Sequence, residues 1–245
     1  MNVVLFEARE VGSDNRCELH DRRLLHLRQV LSAQPGDRLR VGILDGSLGY
    51  AEVESIDDQR AVLQCAFDEP APSRSDDTLI LGIPRPNILA RVLEAAVTLG
   101  FGRIALLRTR LVDKSQLQSH ALLPEALQER ILKGLEQSVR TARPEIVLED
   151  RFRPFVEDRP TQWALGPSRF VGHPEGSRDL ASERVDCSGP ITLAIGPERG
   201  FTDFEIERFG ASGFTAVRSG TQPLRVETAL SVLTGQLKLQ RALSC

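Results

Sequence analysis

Length, composition and charge limit the classes of protein to which this chain can belong. It has 245 residues, of which 41% are hydrophobic and 27% are charged, so it can bury one large core or two smaller ones. The formal net charge of −3 excludes a uniformly basic surface, and any contact with nucleic acid must be confined to local patches. The first residues combine acidic side chains with no long apolar run. We therefore expect a cytoplasmic protein without a signal peptide or membrane span.

The four cysteines are too widely separated to suggest a metal site. Cys17, Cys65, Cys187 and Cys245 contain no C-x-x-C pair, and no histidine stands at metal-ligand spacing from them. We expect reduced thiols, no disulfide framework and no bound metal.

The first seventy residues have the pattern of a small β-rich domain with one helix. Short apolar or alternating runs predict strands at 3–6, 38–44, 50–56 and 61–67. A helix predicted over 22–33 would place Leu24, Leu27, Val30 and Leu31 on its buried face. Residues 1–70 therefore predict a small barrel or sandwich.

A polar segment separates this domain from the rest of the chain. Residues 69–77, E-P-A-P-S-R-S-D-D, have the composition of a linker. Beyond it strands and helices alternate, which predicts a parallel sheet covered by helices. The predicted strands are 79–83, 104–107, 163–165, 191–195 and 214–217, and the predicted helices are 88–99, 125–140, 203–211 and 227–243.

The first candidate site is the turn after the apolar run 191–195. It reads Gly196-Pro197-Glu198-Arg199-Gly200-Phe201-Thr202, and Thr202 with Glu205 forms a capping box that fixes the start of the next helix. Ligands collect at the carboxyl ends of strands in open α/β sheets, and glycine lets the backbone approach them closely. Taken alone, the turn could simply reverse the chain. It matches neither a phosphate-binding loop nor the dinucleotide fingerprint.

A second turn of the same kind follows the predicted strand 214–217. Residues 219–227, S-G-T-Q-P-L-R-V-E, join that strand to a helix, and Arg225 and Glu227 flank the helix start. Ordinary capping by Glu227, which the helix dipole favours, and a solvated Arg225 would also explain them. Two such turns at neighbouring strand ends would face one crevice, which favours a ligand site.

Several motifs together resemble the knotted SPOUT-class methyltransferases, in particular the RsmE-type family that methylates uracil N3 in 16S ribosomal RNA. The motifs are L-x-I-G-P-E-R-G-F at 193–201, L-R-V-E-T-A at 224–229, E-Q-S-V-R at 136–140 and H-P at 173–174. The stretches 26–31 and 44–53 resemble that family's N-terminal PUA-like barrel. The similarity extends over most of the chain.

The resemblance implies an α/β fold class with two domains. A PUA-like, RNA-binding β-barrel would occupy 1–70, and a SPOUT-type parallel-sheet domain with a C-terminal trefoil knot would occupy 78–245. It further implies a homodimer that takes its methyl group from S-adenosyl-L-methionine and needs no metal. The residues implied to hold this donor are Leu193, Ile195, Gly196, Glu198, Gly200, Ser219, Gly220, Leu224, Arg225 and Thr228.

The chemistry at uracil N3 assigns roles to two of these charged groups. N3 becomes nucleophilic only as its proton leaves, so catalysis requires positioning and proton removal. Glu227 is the candidate base or base-orienting group, and Arg225 could stabilise charge on a uracil oxygen or hold a phosphate. The target base must be unpaired or turned out of its helix. Candidate contacts to 16S rRNA or the small ribosomal subunit are Arg22, Arg23, Arg28, Arg108, Arg110, Lys114, Arg140 and Arg143.

Some residues depart from the family pattern and leave other functions open. Thr98-Leu99-Gly100 replaces E-L-G, Ala95 replaces a lysine, Ser32 replaces an arginine, and Val226 replaces a threonine. The alternatives are a non-catalytic RNA-binding or ribosome-assembly factor and a divergent methyltransferase with another RNA target. A nucleotide-binding α/β enzyme that uses 196–200 as an anion cradle is a third alternative, which the lack of a following lysine disfavours.

Overall fold

The structure is a computed structural model that describes residues 1–244 except Ala164, Ser177, Cys187 and Ser188, and of residues 159–162 it describes only the backbone. Contacts divide the chain into two compact units. The N-terminal unit comprises Met1–Arg74 and Leu132–Arg143, and the C-terminal unit comprises Ser75–Ile131 and Pro144–Cys245. The domains 1–70 and 78–245 stay a prediction, and the units differ from them in placing 132–143 with the N-terminal strands.

The N-terminal unit is a curled five-stranded sheet with one helix. Its elements are β1 (Val4–Phe6), β2 (Arg16–Leu19), α1 (Arg22–Gln29), β3 (Arg38–Ile43), β4 (Leu48–Ile56) and β5 (Ala61–Glu69). The strand order is β1-β3-β4-β5-β2, parallel between β1 and β3 and antiparallel elsewhere. Alternate side chains point inward and form a core with Phe6, Leu19, Leu27, Val41 and Leu63.

Two features of this unit differ from the sequence prediction. Strand β2 was not predicted, because its four residues alternate too briefly to stand out. The predicted helix 22–33 ends at Gln29, and Val30 and Leu31 are exposed instead of buried. The Ala33 N–H donates to the Leu27 carbonyl (2.9 Å) and Ser32 has a φ of 50°, so the chain turns away from the helix axis.

Arg23 holds three segments of this unit together. Its guanidinium donates to the Leu5 carbonyl (2.7 Å), the Glu10 carboxylate (2.6 Å) and the Asp21 carboxylate (2.8 Å). Burial alone would raise the pKa of Glu10, but the hydrogen bond from Arg23 keeps that pKa below its ordinary value. Arg23 is itself buried, so the side chain proposed from the sequence as an RNA contact has a structural role.

The C-terminal unit is built on a seven-stranded parallel sheet. Its strands are β6 (Thr78–Gly82), β7 (Arg103–Leu107), β8 (Glu145–Glu149), β9 (Ser168–Gly172), β10 (Arg178–Asp179), β11 (Ile191–Ile195) and β12 (Thr215–Arg218). Its helices are α2 (Pro86–Thr98), α3 (Lys114–Leu117), the start of α4 (Pro124–Ser138), α5 (Phe152–Gln162), α6 (Asp203–Ala211) and α7 (Val226–Ser244). The strand order is β10-β12-β9-β11-β6-β7-β8, and every residue of β6 and β11 is buried, as expected at the centre of a sheet covered on both faces.

The long helix α7 packs against α2, β11 and the segment that follows β10. The Gln240 side chain donates to the Leu180 carbonyl, and Arg241 forms an ion pair with Asp77 (2.6 Å) at the start of β6. These contacts hold α7 against the sheet and against two segments that precede it in the chain.

The elements between 145 and 179 were missed or misplaced. Strands β8 and β10 and helix α5 were not predicted. The strand predicted at 163–165 lies instead at β9, and Ala164 itself lies outside the described residues. Strand β8 is a half-exposed edge strand and α5 contains two prolines, so neither has a clear hydrophobic period. Arg169 lies inside β9, where its guanidinium donates to the Gly166, Leu165 and Ser212 carbonyls.

We predict that Arg23→Met lowers the free energy of unfolding by about 2–4 kcal/mol, because it leaves the buried Leu5 carbonyl and two carboxylates without their donor. Urea denaturation followed by circular dichroism measures this change. Arg60→Met is the matched control, since Arg60 forms only an exposed pair with Glu18 and its loss should cost less than about 0.5 kcal/mol. If the two substitutions lowered the free energy of unfolding equally, the structural role assigned to Arg23 would be contradicted.

Candidate active site

A cavity of about 770 Å³ opens at the carboxyl ends of β9, β11 and β12. The two turns identified from the sequence both line it, together with the turn after β9 and the start of α2. Its wall comprises residues 172–175, 195–201, 217–220 and 222–227 with Arg85, Asn87, Ile88, Asp203, Ala229 and Leu233. A cavity of this size can enclose a ligand as large as a nucleoside derivative.

The turn after β11 brings backbone to the cavity wall. Gly200 has a φ of 71°, which favours glycine, and its N–H donates to the Pro197 carbonyl (2.8 Å). A Cβ added at Gly196 would lie 2.9 Å from backbone atoms of Gly200. The turn therefore closes on itself only because both positions lack a side chain.

Glu205 fixes this turn to the loop after β7. Its carboxylate, 2% exposed as a residue, accepts hydrogen bonds from the Thr202 N–H (2.8 Å) and hydroxyl (3.0 Å) and from the Arg110 N–H (2.8 Å). The predicted capping box is thus confirmed, with an additional donor from outside the helix. One buried carboxylate sets the start of α6 and the position of the Arg110 backbone.

Glu198 connects the same turn to the loop after β6. Its carboxylate accepts a hydrogen bond from the Arg85 N–H (2.9 Å) just before α2. Arg85, Asn87 and Ile88 were not predicted as site residues. The general rule that ligands bind at the carboxyl ends of parallel strands could have identified them, because β6 ends at the same sheet edge.

The turn after β12 supplies the charged groups predicted to be catalytic. The Glu227 side chain is 27% exposed, lines the cavity and lies 3.4 Å from the Arg91 guanidinium on α2. Arg225 lines the cavity with an exposed side chain. His173, from the H-P motif, also lines it and accepts a hydrogen bond on Nδ1 from the Glu175 N–H (3.3 Å).

Most residues predicted to hold the donor lie at this cavity. Those that line it are Ile195, Gly196, Glu198, Gly200, Ser219, Gly220, Leu224 and Arg225. Leu193 is fully buried inside β11 and Thr228 is exposed on α7, and neither lines the cavity. Their role in donor binding stays a prediction.

The predicted RNA contacts fall into two groups. In the N-terminal unit Arg22 forms two hydrogen bonds with the buried Glu136 carboxylate, Arg28 pairs with Asp58, Arg143 pairs with Asp45, and Arg140 donates to the Ser73 carbonyl. With Arg23, these five arginines all bond to other groups of the N-terminal unit, although only Arg23 is buried. Arg108, Arg110 and Lys114 are exposed, and within the described ranges their side chains form no ion pair. An RNA-binding role stays a prediction for all eight.

Neither a membrane-spanning helix nor a cluster of metal ligands is found among the described residues. Among the helices of the described residues, none is long and apolar enough to cross a membrane. The side chains placed by the structure include no group of three or more histidines, cysteines or carboxylates arranged to hold a metal ion. Cys17 and Cys65 are buried free thiols, and Cys187 and Cys245 lie outside the described residues.

We predict that Glu205→Ala loosens the floor of the cavity. The amide groups of Thr202 and Arg110 lose their buried acceptor, so the free energy of unfolding should fall by about 2–4 kcal/mol. Hydrogen exchange at these two amides should accelerate relative to the wild-type chain. Glu207→Ala, an exposed carboxylate on the same helix, is the control and should leave both rates unchanged. Unaltered exchange in Glu205→Ala would contradict this account.

Comparison with known proteins gives one consistent result. The model of the RNA methyltransferase domain family matches residues 71–238. "Ribosomal RNA small subunit methyltransferase E" of Treponema pallidum is 31% identical over 241 residues, covering 94% of this chain and 87% of that protein. The protein of the same name from Synechocystis sp. is 28% identical, covering 88% of this chain and 70% of that protein.

Solved structures with the same fold agree with these sequence comparisons. Ribosomal RNA small subunit methyltransferase E of Neisseria gonorrhoeae, bound to S-adenosyl methionine, superposes with a TM-score of 0.73 at 23% identity, covering 97% of this chain and 98% of that one. A putative methyltransferase of Legionella pneumophila with bound S-adenosyl methionine gives the same TM-score and identity, covering 98% and 97%. With the family model and the Treponema relative, these findings show that the chain belongs to the RNA methyltransferases of the ribosomal RNA small subunit methyltransferase E family.

Proposed function

We propose that this chain transfers the methyl group of S-adenosylmethionine to N3 of a uracil in 16S ribosomal RNA. The observation that carries the proposal is that the glycine turns after β11 and β12 line one cavity, with Glu227 and Arg225 at its wall. The relatives are named as small-subunit rRNA methyltransferases, and two structures of the same fold contain the donor.

The residues at the cavity fit the donor. The volume of about 770 Å³ accommodates a nucleoside with an amino-acid side arm. Gly196, Gly200 and Gly220 bring the backbone to the cavity wall without intervening side chains, which suits close approach of adenine and ribose. Ile195 and Leu224 provide apolar surface for the flat faces of the base. These residues would hold the donor.

The proposed mechanism assigns one task to each charged group. When bound, S-adenosylmethionine supplies an electrophilic methyl group on a sulfonium sulfur. Glu227 accepts the N3 proton of the uracil as the N3–carbon bond forms and the carbon–sulfur bond breaks, and the bonding electrons leave with sulfur. Arg225 stabilises the negative charge that develops on a uracil oxygen. The Arg91 guanidinium, 3.4 Å from Glu227, orients the carboxylate from outside the cavity.

The RNA partner and the oligomeric state complete the proposal. The substrate is 16S rRNA or the small ribosomal subunit in the cytoplasm, and the N-terminal unit acts as a PUA-like RNA-binding domain. The active form is a homodimer. Exposed apolar side chains along α7, Val232 and Leu239, support a second copy packing on this helix.

The test is methylation of 16S rRNA purified from a strain that lacks this gene. The chain with S-adenosylmethionine should produce 3-methyluridine at one position, which mass spectrometry of nuclease fragments identifies. Methylation at another atom or in another RNA would identify a divergent enzyme. Donor binding without methylation of any rRNA substrate, free or assembled, would favour the RNA-binding factor.

Glu227→Gln separates catalysis from binding within the same assay. Loss of the base should lower the rate by roughly 10²- to 10⁴-fold, while the Kd for the donor stays at the wild-type value. Glu94→Gln is the matched control, because Glu94 is 33% exposed and pairs with Arg130 as Glu227 pairs with Arg91. Glu94→Gln should retain the wild-type rate. An unchanged rate in Glu227→Gln would remove Glu227 from the mechanism.

A further inference from the structure

We propose that Phe204 is a stacking platform for the nucleotide adjacent to the target uridine in single-stranded RNA. The inference rests on the proposed function, because it names how the same site grips its substrate. It concerns a residue for which the sequence indicated no role.

Phe204 is the one aromatic residue of α6 and its flanks that points outward. Phe201, Phe209 and Phe214 form a buried cluster in which neighbouring ring centroids lie 5.0 Å apart. Phe204 lies among them in the sequence, yet it is 53% exposed. The core therefore does not account for an aromatic residue at this position.

Phe204 follows residues that line the cavity, although it is not itself one of them. It is the second residue of α6, and the residues on its N-terminal side, Phe201 and Asp203, line the cavity. Glu205, the next residue, fixes the start of the helix through its bonds to Thr202 and Arg110. The helix start that carries the exposed ring is therefore fixed, and it lies beside the cavity to which the proposed function assigns the target base.

A cationic side chain contacts the ring, and further cations lie on the loop that is bound to the same helix start. The Arg208 guanidinium lies over the ring of Phe204 with its carbon 5.5 Å from the centroid. The Arg110 N–H is bound by the Glu205 carboxylate, Arg108 and Arg110 expose their side chains on the loop after β7, and Lys114 is exposed at the start of α3. An aromatic face with neighbouring arginines is the arrangement that proteins use to bind unpaired nucleotides.

Three of the four carboxylates near the ring have partners of their own. Glu205 is buried on backbone amides, Glu207 pairs with Arg208, and Asp113 belongs to the capping box of α3. Asp203 lines the cavity at the first position of α6. The loop after β7 keeps exposed positive charge at Arg108 and Arg110, which complements RNA phosphates.

Stacking on Phe204 has a clear purpose in this reaction. A uridine that turns into the cavity leaves the stack, and its neighbour loses a stacking partner. The phenyl ring replaces that partner. Base stacking on one aromatic side chain changes RNA affinity by about fivefold to 100-fold.

The test compares Phe204→Leu with Phe204→Trp. The probe is a short single-stranded RNA with one central uridine, in a normal form and in forms with an abasic site on either side of it. Phe204→Leu keeps apolar surface but removes the aromatic face, and should weaken binding of the normal RNA about tenfold. Phe204→Trp should bind at least as well as the wild-type chain. With the abasic site on the stacked side, the wild-type chain and Phe204→Leu should bind equally.

Leu148→Ala is the matched control. Leu148 is similarly exposed, at 49%, and lies on the edge strand β8, which contributes no residue to the cavity wall. The RNA affinity of the Leu148→Ala variant should equal that of the wild-type chain. Thermal unfolding should be the same for all the variants, since both side chains are exposed.

The outcomes separate the two proposals. If the wild-type chain binds and methylates RNA and Phe204→Leu binds the same RNA equally tightly, the stacking role is overturned. The proposed function then stays intact. The stacking role would also be overturned if Phe204→Leu changed the oligomeric mass but left the RNA affinity per dimer unchanged. That result would assign the ring to a protein interface. A wild-type chain that neither binds nor methylates RNA would contradict the proposed function and this inference together.

Discussion

Parallel pairing of β11 between β6 and β9 is the constraint on which the site depends. Ile195 pairs with Leu81 of β6 and with Gly172 of β9, so the turns that follow all three strands emerge at one edge. Asp77 fixes this arrangement at the other end. Its carboxylate accepts the Ile191 N–H (2.8 Å) and the Arg241 guanidinium (2.6 Å), which connects β6, β11 and α7. A shift of one residue in this register would place the wrong backbone groups at the cavity.

The distribution of arginine pairs explains how an acidic chain can present a local basic surface. In the N-terminal unit arginines are used to connect segments distant in sequence, as Arg22 with Glu136 and Arg143 with Asp45 show. At the cavity and the loop after β7, by contrast, Arg225, Arg108 and Arg110 expose their guanidinium groups. Among the described residues, these exposed cations bear more directly on the proposed RNA binding than the net charge does.

The sequence predicts the parts of the fold whose signals are local. Strand β11 was predicted with its exact bounds because its continuous apolar run ends at a glycine, and α6 because Thr202 and Glu205 mark its start. The two glycine turns were recognised for the same reason. Strand β8 and helix α5 were missed because edge exposure and internal prolines erase their periodicity.

The features of the site that could not be predicted from the sequence depend on contacts between residues distant in the chain. Whether Arg23 contacts RNA or the protein interior depends on Leu5, Glu10 and Asp21, whose approach follows from the folding of the sheet. Arg91 reaches Glu227 only because α2 packs against α7. Phe204 gives no sign of exposure in a sequence where the neighbouring phenylalanines are buried.

The central claim is that the two glycine turns form one cavity for S-adenosylmethionine. Calorimetric titration of the purified chain with this compound tests it most directly, with Gly196→Val and Gly210→Ala as the paired variants. A side chain at Gly196 would collide with the Gly200 backbone, whereas the space around Gly210 is open. The account predicts one donor per chain, loss of binding in Gly196→Val and full binding in Gly210→Ala. Binding unaffected by Gly196→Val, or no binding by the wild-type chain, would contradict it.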